Sequence, residues 1–144
     1  EDFFFVGRHY MYPASQEAAL KLKEISYLNA CAYPAAELKH GPIALINPQL
    51  ATIALCGNMQ TFEKILSNLK EVDARGGKVL AFAPKGNKEI LQITEDVIWI
   101  PKINDILAPI LYSVGAQIFA YSTAAIHGTD IDQPRNLAKS VTVE

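Results

Sequence analysis

Short apolar runs alternate with longer segments in which apolar residues recur at helical spacing. Each run is four to six residues long, is flanked by turn-forming residues, and contains little or no alternation of polar and apolar positions. Runs of this kind are typical of strands that are buried on both faces of a sheet. We therefore predict strands at residues 3–6, 51–56, 78–83 and 96–100.

The segments between these runs carry helix signals at their ends. Capping residues such as Thr or Asn favour a helix start, and Gly favours a helix end. The predicted first helix opens at Pro13-Ala14-Ser15 and runs to about Leu28; the second runs from Thr61, its N-cap, to Gly76-Gly77; the third, long and apolar, runs from Asn104 or Asp105 to Gly128.

Buried strands that alternate with helices predict an α/β protein, a three-layer α/β/α sandwich with a mostly parallel sheet. Ligands of such sheets bind beyond the carboxyl ends of the strands, where Gly7-Arg8-His9 follows the first strand. The last sixteen residues have no apolar period, and Pro134 breaks any helix there. We predict one domain at residues 1–128 followed by an irregular tail at 129–144.

Composition narrows the class of protein. Half of the 144 residues are hydrophobic and 19% are charged, which excludes disorder. The net charge of −2 comes without a basic cluster, so we expect no nucleic-acid partner. Residues 106–126 lack charge but include Pro109 and Gln117, so we interpret them as a core or interface helix, with no membrane association.

No signal peptide is recognisable at the start of the sequence. No basic flank precedes the first apolar run, and Cys31 and Cys56 lack metal-ligand spacing. We therefore expect a cytoplasmic protein with reduced, buried thiols. Because the chain does not begin with Met, we also expect it to be a piece of a longer protein.

Two segments could carry chemistry. Glu17, Lys21 and Glu24 lie at i, i+4 and i+7, on one helical face, and form either a solvated set of ion pairs or an acid–base pair. His40 precedes Gly41-Pro42 and is either a capping residue or a proton shuttle. No metal cluster, nucleotide-binding glycine loop or serine-nucleophile motif is present in the sequence, so we predict no cofactor.

The tail also has two interpretations. Arg135, Asn136 and Lys139 follow one another closely, either in a solvated terminus or in an ordered loop that completes a site. The motifs Glu17-Ala-Ala-Leu-Lys-Leu-Lys-Glu24, Glu37-Leu-Lys-His-Gly-Pro42 and Asp132-Gln-Pro-Arg-Asn-Leu-Ala-Lys139 together resemble the glucosamine-6-phosphate synthase family. These are isomerising glutamine:fructose-6-phosphate aminotransferases, and the resemblance covers the second half of their sugar-isomerase (SIS) module.

This resemblance implies a role for each matching residue. Glu24 matches the base that moves a proton between C1 and C2 of the sugar, and Lys21 matches the lysine that assists transfers at the sugar oxygens. His40 matches the histidine that opens the fructose ring and reaches into the neighbouring subunit's site. Lys139 matches a tail lysine that contacts the open-chain sugar, with Ala138 beside it. The chain departs from the family at His9, where we expect Gly, and at Asn29, Cys31, Pro34 and Ala36.

The activity implied by the resemblance is conversion of fructose 6-phosphate and glutamine-derived ammonia to glucosamine 6-phosphate. The implied partners are a glutaminase domain, a preceding SIS half with a Ser/Thr-rich phosphate loop, and a second subunit in a homodimer. We recognise neither domain in these residues, so we expect the chain alone to be inactive. The alternative is a non-catalytic, phosphosugar-binding SIS module with a regulatory or dimerisation role.

Overall fold

The computed structural model describes residues 2–137. Its centre is a five-stranded sheet, and every neighbouring pair of strands is parallel. The strands are β1 (Asp2–Gly7), β2 (Asn29–Pro34), β3 (Ala51–Leu55), β4 (Lys78–Pro84) and β5 (Val97–Ile100). Their spatial order is β2-β1-β3-β4-β5, so the direction of strand progression changes between β1 and β3.

Three helices cover the sheet: α1 (Met11–Ser26), α2 (Phe62–Asp73) and α3 (Ala108–His127). Helices α1 and α3 pack on one face, around Phe5, Ile53 and Phe82. Helix α2 and the 3₁₀ segment Ala35–His40 pack on the other face. The predicted three-layer α/β/α sandwich with a parallel sheet is therefore confirmed. The tail lacks helix and strand as far as residue 137, as predicted.

Strand β2 was not predicted from the sequence. It lies at the edge of the sheet and pairs with β1 alone, and most of its residues are half-buried. Its apolar run, Ala30-Cys-Ala-Tyr33, consists mostly of small residues and has no Val or Ile, so its strand signal is weak. Helix α1 also begins at Met11, two residues before the predicted start.

The predicted caps of α2 and α3 are partly wrong. The Thr61 side chain makes no capping bond; instead the Asn58 side chain accepts a hydrogen bond from the Thr61 backbone N–H at 3.1 Å. The Asn104 side chain likewise lies in the turn before α3, where it accepts a hydrogen bond from the Ile106 backbone N–H at 2.9 Å. Gly128 ends α3 in the left-handed conformation, as predicted.

Apart from Tyr112, helix α3 presents alanines to the core and large apolar residues to solvent. Its buried positions are Ala108, Tyr112, Ala116, Ala120 and Ala124, and alanines allow close approach of α1. The opposite side exposes 68% of Ile110, 62% of Ile118 and 86% of Ile126. None of the helices in residues 2–137 has the length and hydropathy of a membrane span.

The two cysteines differ in burial. Cys56 is buried, and desolvation raises the pKa of its thiol to about 12, which keeps it protonated and unreactive at neutral pH. Cys31 lies on the edge strand and is only half-buried. The expectation of buried thiols therefore holds for Cys56 but not for Cys31.

Candidate functional site

Lys21 and Glu24 form a close ion pair on α1. The Lys21 Nζ donates to Glu24 Oε2 at 2.7 Å and lies 3.6 Å from Glu17 Oε1. The side chain of Lys21 is 33% exposed to solvent and that of Glu24 is 27% exposed. The hydrogen bond to Glu24, more than any other factor, raises the pKa of Lys21, so its ammonium is retained at neutral pH. This arrangement places a carboxylate and a permanent proton donor side by side.

The local sequence explains this placement. Ala18 and Leu22 are buried against the sheet. Lys21 lies three positions after Ala18 and Glu24 two positions after Leu22, so their side chains face outward on the same side of the helix. Helix α1 follows the carboxyl end of β1 and leads to the amino end of β2. Lys21 and Glu24, in its second half, thus lie toward the amino-terminal edge of the sheet.

The beginning of the tail returns to the end of α1. The Thr129 hydroxyl donates to the Ile25 carbonyl oxygen at 2.6 Å, and the Arg135 backbone N–H donates to the Tyr27 hydroxyl at 2.8 Å. The Arg135 guanidinium carbon lies 4.2 Å from the centre of the Tyr27 ring, a cation–π contact. Residues 129–135 are therefore anchored one turn beyond Glu24.

These contacts favour an ordered loop over a solvated terminus for residues 129–135. Sequence analysis singled out Arg135 but missed its partner Tyr27 and the role of Thr129. Tyr27 is the C-cap of α1 and has a left-handed backbone with φ of 61°. The hydrophobic pattern of the sequence gives no sign of this role. Ala138 and Lys139 lie outside the described residues, so their place at the site stays a prediction.

His40 is not brought to Lys21 and Glu24 within this chain. It ends the 3₁₀ segment Ala35–His40, and its Nδ1 lies 2.6 Å from Glu37 Oε2. The neighbouring Lys39 pairs with Glu71 of α2 at 2.8 Å. The segment belongs to the α2 face of the sheet, whereas Lys21 and Glu24 belong to the α1 face.

His9 occupies a conformation that glycine favours. Its φ is 53°, and its ring packs edge-on against Tyr10 with centroids 4.1 Å apart. A left-handed backbone is the conformation for which Gly is the usual residue. His9 therefore replaces the expected Gly and keeps the left-handed backbone that Gly would adopt.

A separate cavity of about 470 Å³ lies at the carboxyl edge of the sheet. The loops after β3, β4 and β5 and the first half of α3 form its walls. Gly57, Asn87, Lys88, Lys102 and Tyr112 are among the lining residues. Within residues 2–137, no group of three or more His, Cys, Asp or Glu side chains is placed to hold a metal ion.

Comparison with known proteins assigns the family. The sequence profile described as "SIS domain" matches residues 2–127. The chain belongs to the SIS domain family. A glutamine--fructose-6-phosphate aminotransferase [isomerizing] from Thermus thermophilus is 55% identical over 143 residues, which are 99% of this chain and 24% of that relative. Its namesake from Chlamydia trachomatis is 51% identical over 142 residues, 99% of this chain and 23% of the relative.

Solved structures of this SIS domain's relatives agree. The C-terminal domain of glucosamine-fructose-6-phosphate aminotransferase from Francisella tularensis superposes with a TM-score of 0.85 at 44% identity, over 93% of this chain and 38% of that one. A putative tagatose-6-phosphate ketose/aldose isomerase from Clostridium novyi, 22% identical with a TM-score of 0.83, shares the fold. The resemblance to the glucosamine-6-phosphate synthase family is confirmed, and the chain spans about a quarter of the length of these curated relatives.

Proposed function

We propose that this SIS domain carries the isomerising acid–base pair of a glutamine–fructose-6-phosphate aminotransferase. The observation that carries the proposal is the Lys21–Glu24 pair, 2.7 Å apart, in a chain similar to such enzymes over 99% of its length. The reaction joins ammonia from glutamine to fructose 6-phosphate and isomerises the resulting imine to glucosamine 6-phosphate.

Glu24 is the general base in this proposal. Its carboxylate removes a proton from C1 of the imine. The electron pair of that C–H bond forms the C1–C2 double bond while the C2=N π pair moves to nitrogen, which takes up a proton, and an enolamine results. Return of the C1 proton by Glu24 to C2, with loss of the C1 hydroxyl proton, then leaves the aldehyde at C1 and the amine at C2. A half-exposed carboxylate can reach substrate for such a transfer, as general acid–base catalysis requires.

Lys21 supplies positive charge beside the base. Its ammonium donates a hydrogen bond to Glu24 and can also donate to the C1 oxygen as negative charge develops there. We assign Lys139, with Ala138 beside it, a second contact to the open-chain sugar. The domain would then comprise residues 1–128, and residues 129–144 would form an active-site tail.

His40 is proposed to open the fructose ring in the site of a second subunit. Its position on the opposite face of the sheet from Glu24 supports a site shared between subunits. The exposed apolar side chains of α3, including Ile110, Ile118 and Ile126, support burial against another subunit or another domain of the protein. We therefore propose a cytoplasmic homodimer that also contains a glutaminase domain and a preceding SIS half.

A shared site predicts complementation between two inactive variants. Co-expressed His40→Ala and Glu24→Gln subunits should form heterodimers in which one of the two sites has both residues intact. Random pairing would then restore about a quarter of wild-type glucosamine 6-phosphate formation. Each variant alone should remain inactive as a homodimer; a mixture as inactive as its parents would place both residues in the site of a single subunit.

The contacts of Tyr27 with Arg135 predict that the tail contributes to turnover. Tyr27→Phe removes the hydrogen bond to Arg135, worth about 1 kcal/mol, and should lower kcat/KM for fructose 6-phosphate roughly fivefold in the full-length enzyme. Tyr27→Ala also removes the cation–π contact and should have a larger effect. Tyr10→Phe, at the opposite end of α1, is the control and should leave kcat/KM unchanged.

The alternative is a non-catalytic, phosphosugar-binding SIS module with a regulatory or dimerisation role. The apolar face of α3 is the observation that favours it, because a dimerisation domain needs such a surface. This alternative requires no base. Wild-type activity in a full-length Glu24→Gln protein would favour it.

A further inference from the structure

Glu37 and His40 lie side by side on the short segment that carries the proposed ring-opening histidine. The segment is a 3₁₀-helix that runs from Ala35 to His40. Side chains three positions apart are eclipsed in a 3₁₀-helix, so residues 37 and 40 are neighbours on its surface. The Nδ1 atom of His40 lies 2.6 Å from Oε2 of Glu37. One nitrogen of the imidazole is therefore engaged within its own segment.

The chemistry of this pair indicates which ring nitrogen carries the proton. An ionised carboxylate can only accept hydrogen bonds, so the His40 Nδ1–H group is the donor and Glu37 is the acceptor. In the neutral ring the second nitrogen, Nε2, then holds the lone pair. The side chain of His40 is 71% exposed, which leaves Nε2 open to a substrate. The pair therefore presents the nitrogen that a proton shuttle needs.

Other contacts hold the backbone of the segment in place. Ala35 is completely buried and Leu38 is 1% exposed. Lys39 forms an ion pair with Glu71 of α2 at 2.8 Å. These contacts attach the segment to the α2 face of the sheet without any contribution from the Glu37 side chain.

The Glu37–His40 pair, in contrast, joins the segment to no other element. The Glu37 side chain is 56% exposed, and exposed ion pairs contribute little to folding stability. The pair instead restricts the rotation of the imidazole ring and the position of its proton. The hydrogen bond made by one ring nitrogen of a histidine sets the protonation of the other, so this restriction bears on the chemistry of His40 rather than on the fold.

We propose that Glu37 is a positioning residue for ring opening, whose carboxylate holds the His40 imidazole with Nδ1 protonated and Nε2 turned toward the sugar. This inference rests on the ring-opening role proposed above for His40. Opening breaks the C2–O5 bond of the furanose, and its electron pair goes to O5. The electron pair of the O2–H bond becomes the second bond of the C2 carbonyl. Nε2 takes the O2 proton and returns it to O5, while Glu37 neither touches the sugar nor exchanges a proton with it.

A substrate that cannot close its ring tests this role in the full-length enzyme. 5-Deoxyfructose 6-phosphate lacks the hydroxyl that forms the furanose, so it stays in the open-chain form. Glu37→Ala should lower kcat/KM for fructose 6-phosphate about tenfold, as loss of a group that orients a histidine does elsewhere, and change kcat/KM for the deoxy sugar no more than about twofold. A merely structural defect would lower kcat/KM for both sugars alike, and that result would overturn the proposal.

Glu37→Gln is the conservative variant. Its amide oxygen can still accept a hydrogen bond from Nδ1–H, so it should retain at least about half of the wild-type kcat/KM for fructose 6-phosphate. If Glu37→Gln were as impaired as Glu37→Ala, the carboxylate would act through its charge, and a positioning role would be wrong.

Glu71→Gln is the matched control on the same segment. It breaks the ion pair with Lys39 but leaves the partner of His40 in place. It should change kcat/KM for either sugar no more than about twofold, because an exposed ion pair is worth little. A loss as large as that in Glu37→Ala would show that any disturbance of the segment slows turnover, and it would count against a specific role for Glu37.

His40→Ala separates failure of this inference from failure of the proposed function. If His40 opens the ring, His40→Ala should lose far more activity with fructose 6-phosphate than with the deoxy sugar. An equal loss with both sugars would refute the ring-opening role of His40 itself. A selective loss in His40→Ala, together with full activity of Glu37→Ala on fructose 6-phosphate, would refute only the assignment of Glu37.

Discussion

Glu24→Gln in the full-length protein is expected to lower the rate of glucosamine 6-phosphate formation by about 10²–10⁴-fold, the usual contribution of a general base. Glutamine preserves the size of the side chain and can still accept a hydrogen bond from Lys21, so the helix and its neighbours should be undisturbed. However, an amide cannot take up the C1 proton. The effect should therefore fall on kcat, with the KM for fructose 6-phosphate nearly unchanged.

Glu17→Gln is the matched control for this variant. Glu17 lies on the same helix and contacts the same lysine, but at 3.6 Å instead of 2.7 Å. Its loss removes an exposed ion pair worth less than about 1 kcal/mol and should change the rate no more than about twofold. A Glu17→Gln variant as impaired as Glu24→Gln would show that the charge around Lys21, not proton transfer by Glu24, determines the rate.

Gly7→Ala is expected to destabilise the domain by about 3 kcal/mol or more, at the upper end for overpacking. A Cβ at this position would lie 2.5 Å from the Met11 carbonyl carbon and 2.6 Å from Ser15 Oγ. The first neighbour is backbone of the first turn of α1, which cannot rotate away. Calorimetry should show a melting temperature lower by roughly 6–12 °C for a domain of this size.

Gly86→Ala separates steric overlap from backbone conformation. Gly86 has φ of 82°, but a Cβ there would meet nothing within 4 Å. Its substitution should cost about 1–2 kcal/mol, the penalty of a left-handed conformation for an L-residue. If Gly7→Ala proved no more destabilising than Gly86→Ala, the close approach of α1 to the end of β1 would not be a determinant of stability.

The elements that sequence analysis predicted are those whose own residues carry the signal. Strands β1, β3 and β4 are largely buried, and β5 at the edge is rich in large apolar residues, so all four show apolar runs in the sequence. Gly128 ends α3 because its left-handed conformation suits glycine. Strand β2 was missed because its apolar run is built mostly from small Ala and Cys residues, which favour a strand less than the Val, Ile and Trp of the other edge strand, β5. The Asn58 cap was missed because a 3₁₀ turn, Met59–Thr61, lies between it and α2.

The pattern of residues along the chain was enough to predict the α/β fold and the family resemblance. It also predicted that Lys21 and Glu24 are adjacent, because residues three apart on a helix are neighbours. What lies next to that pair depends on contacts between distant parts of the chain. Contacts of Thr129 with Ile25 and of Arg135 with Tyr27 join residues more than 100 positions apart. The sheet separates His40 from Glu24, and three loops enclose the cavity around Tyr112. Such arrangements depend on how layers pack, and no local spacing encodes them.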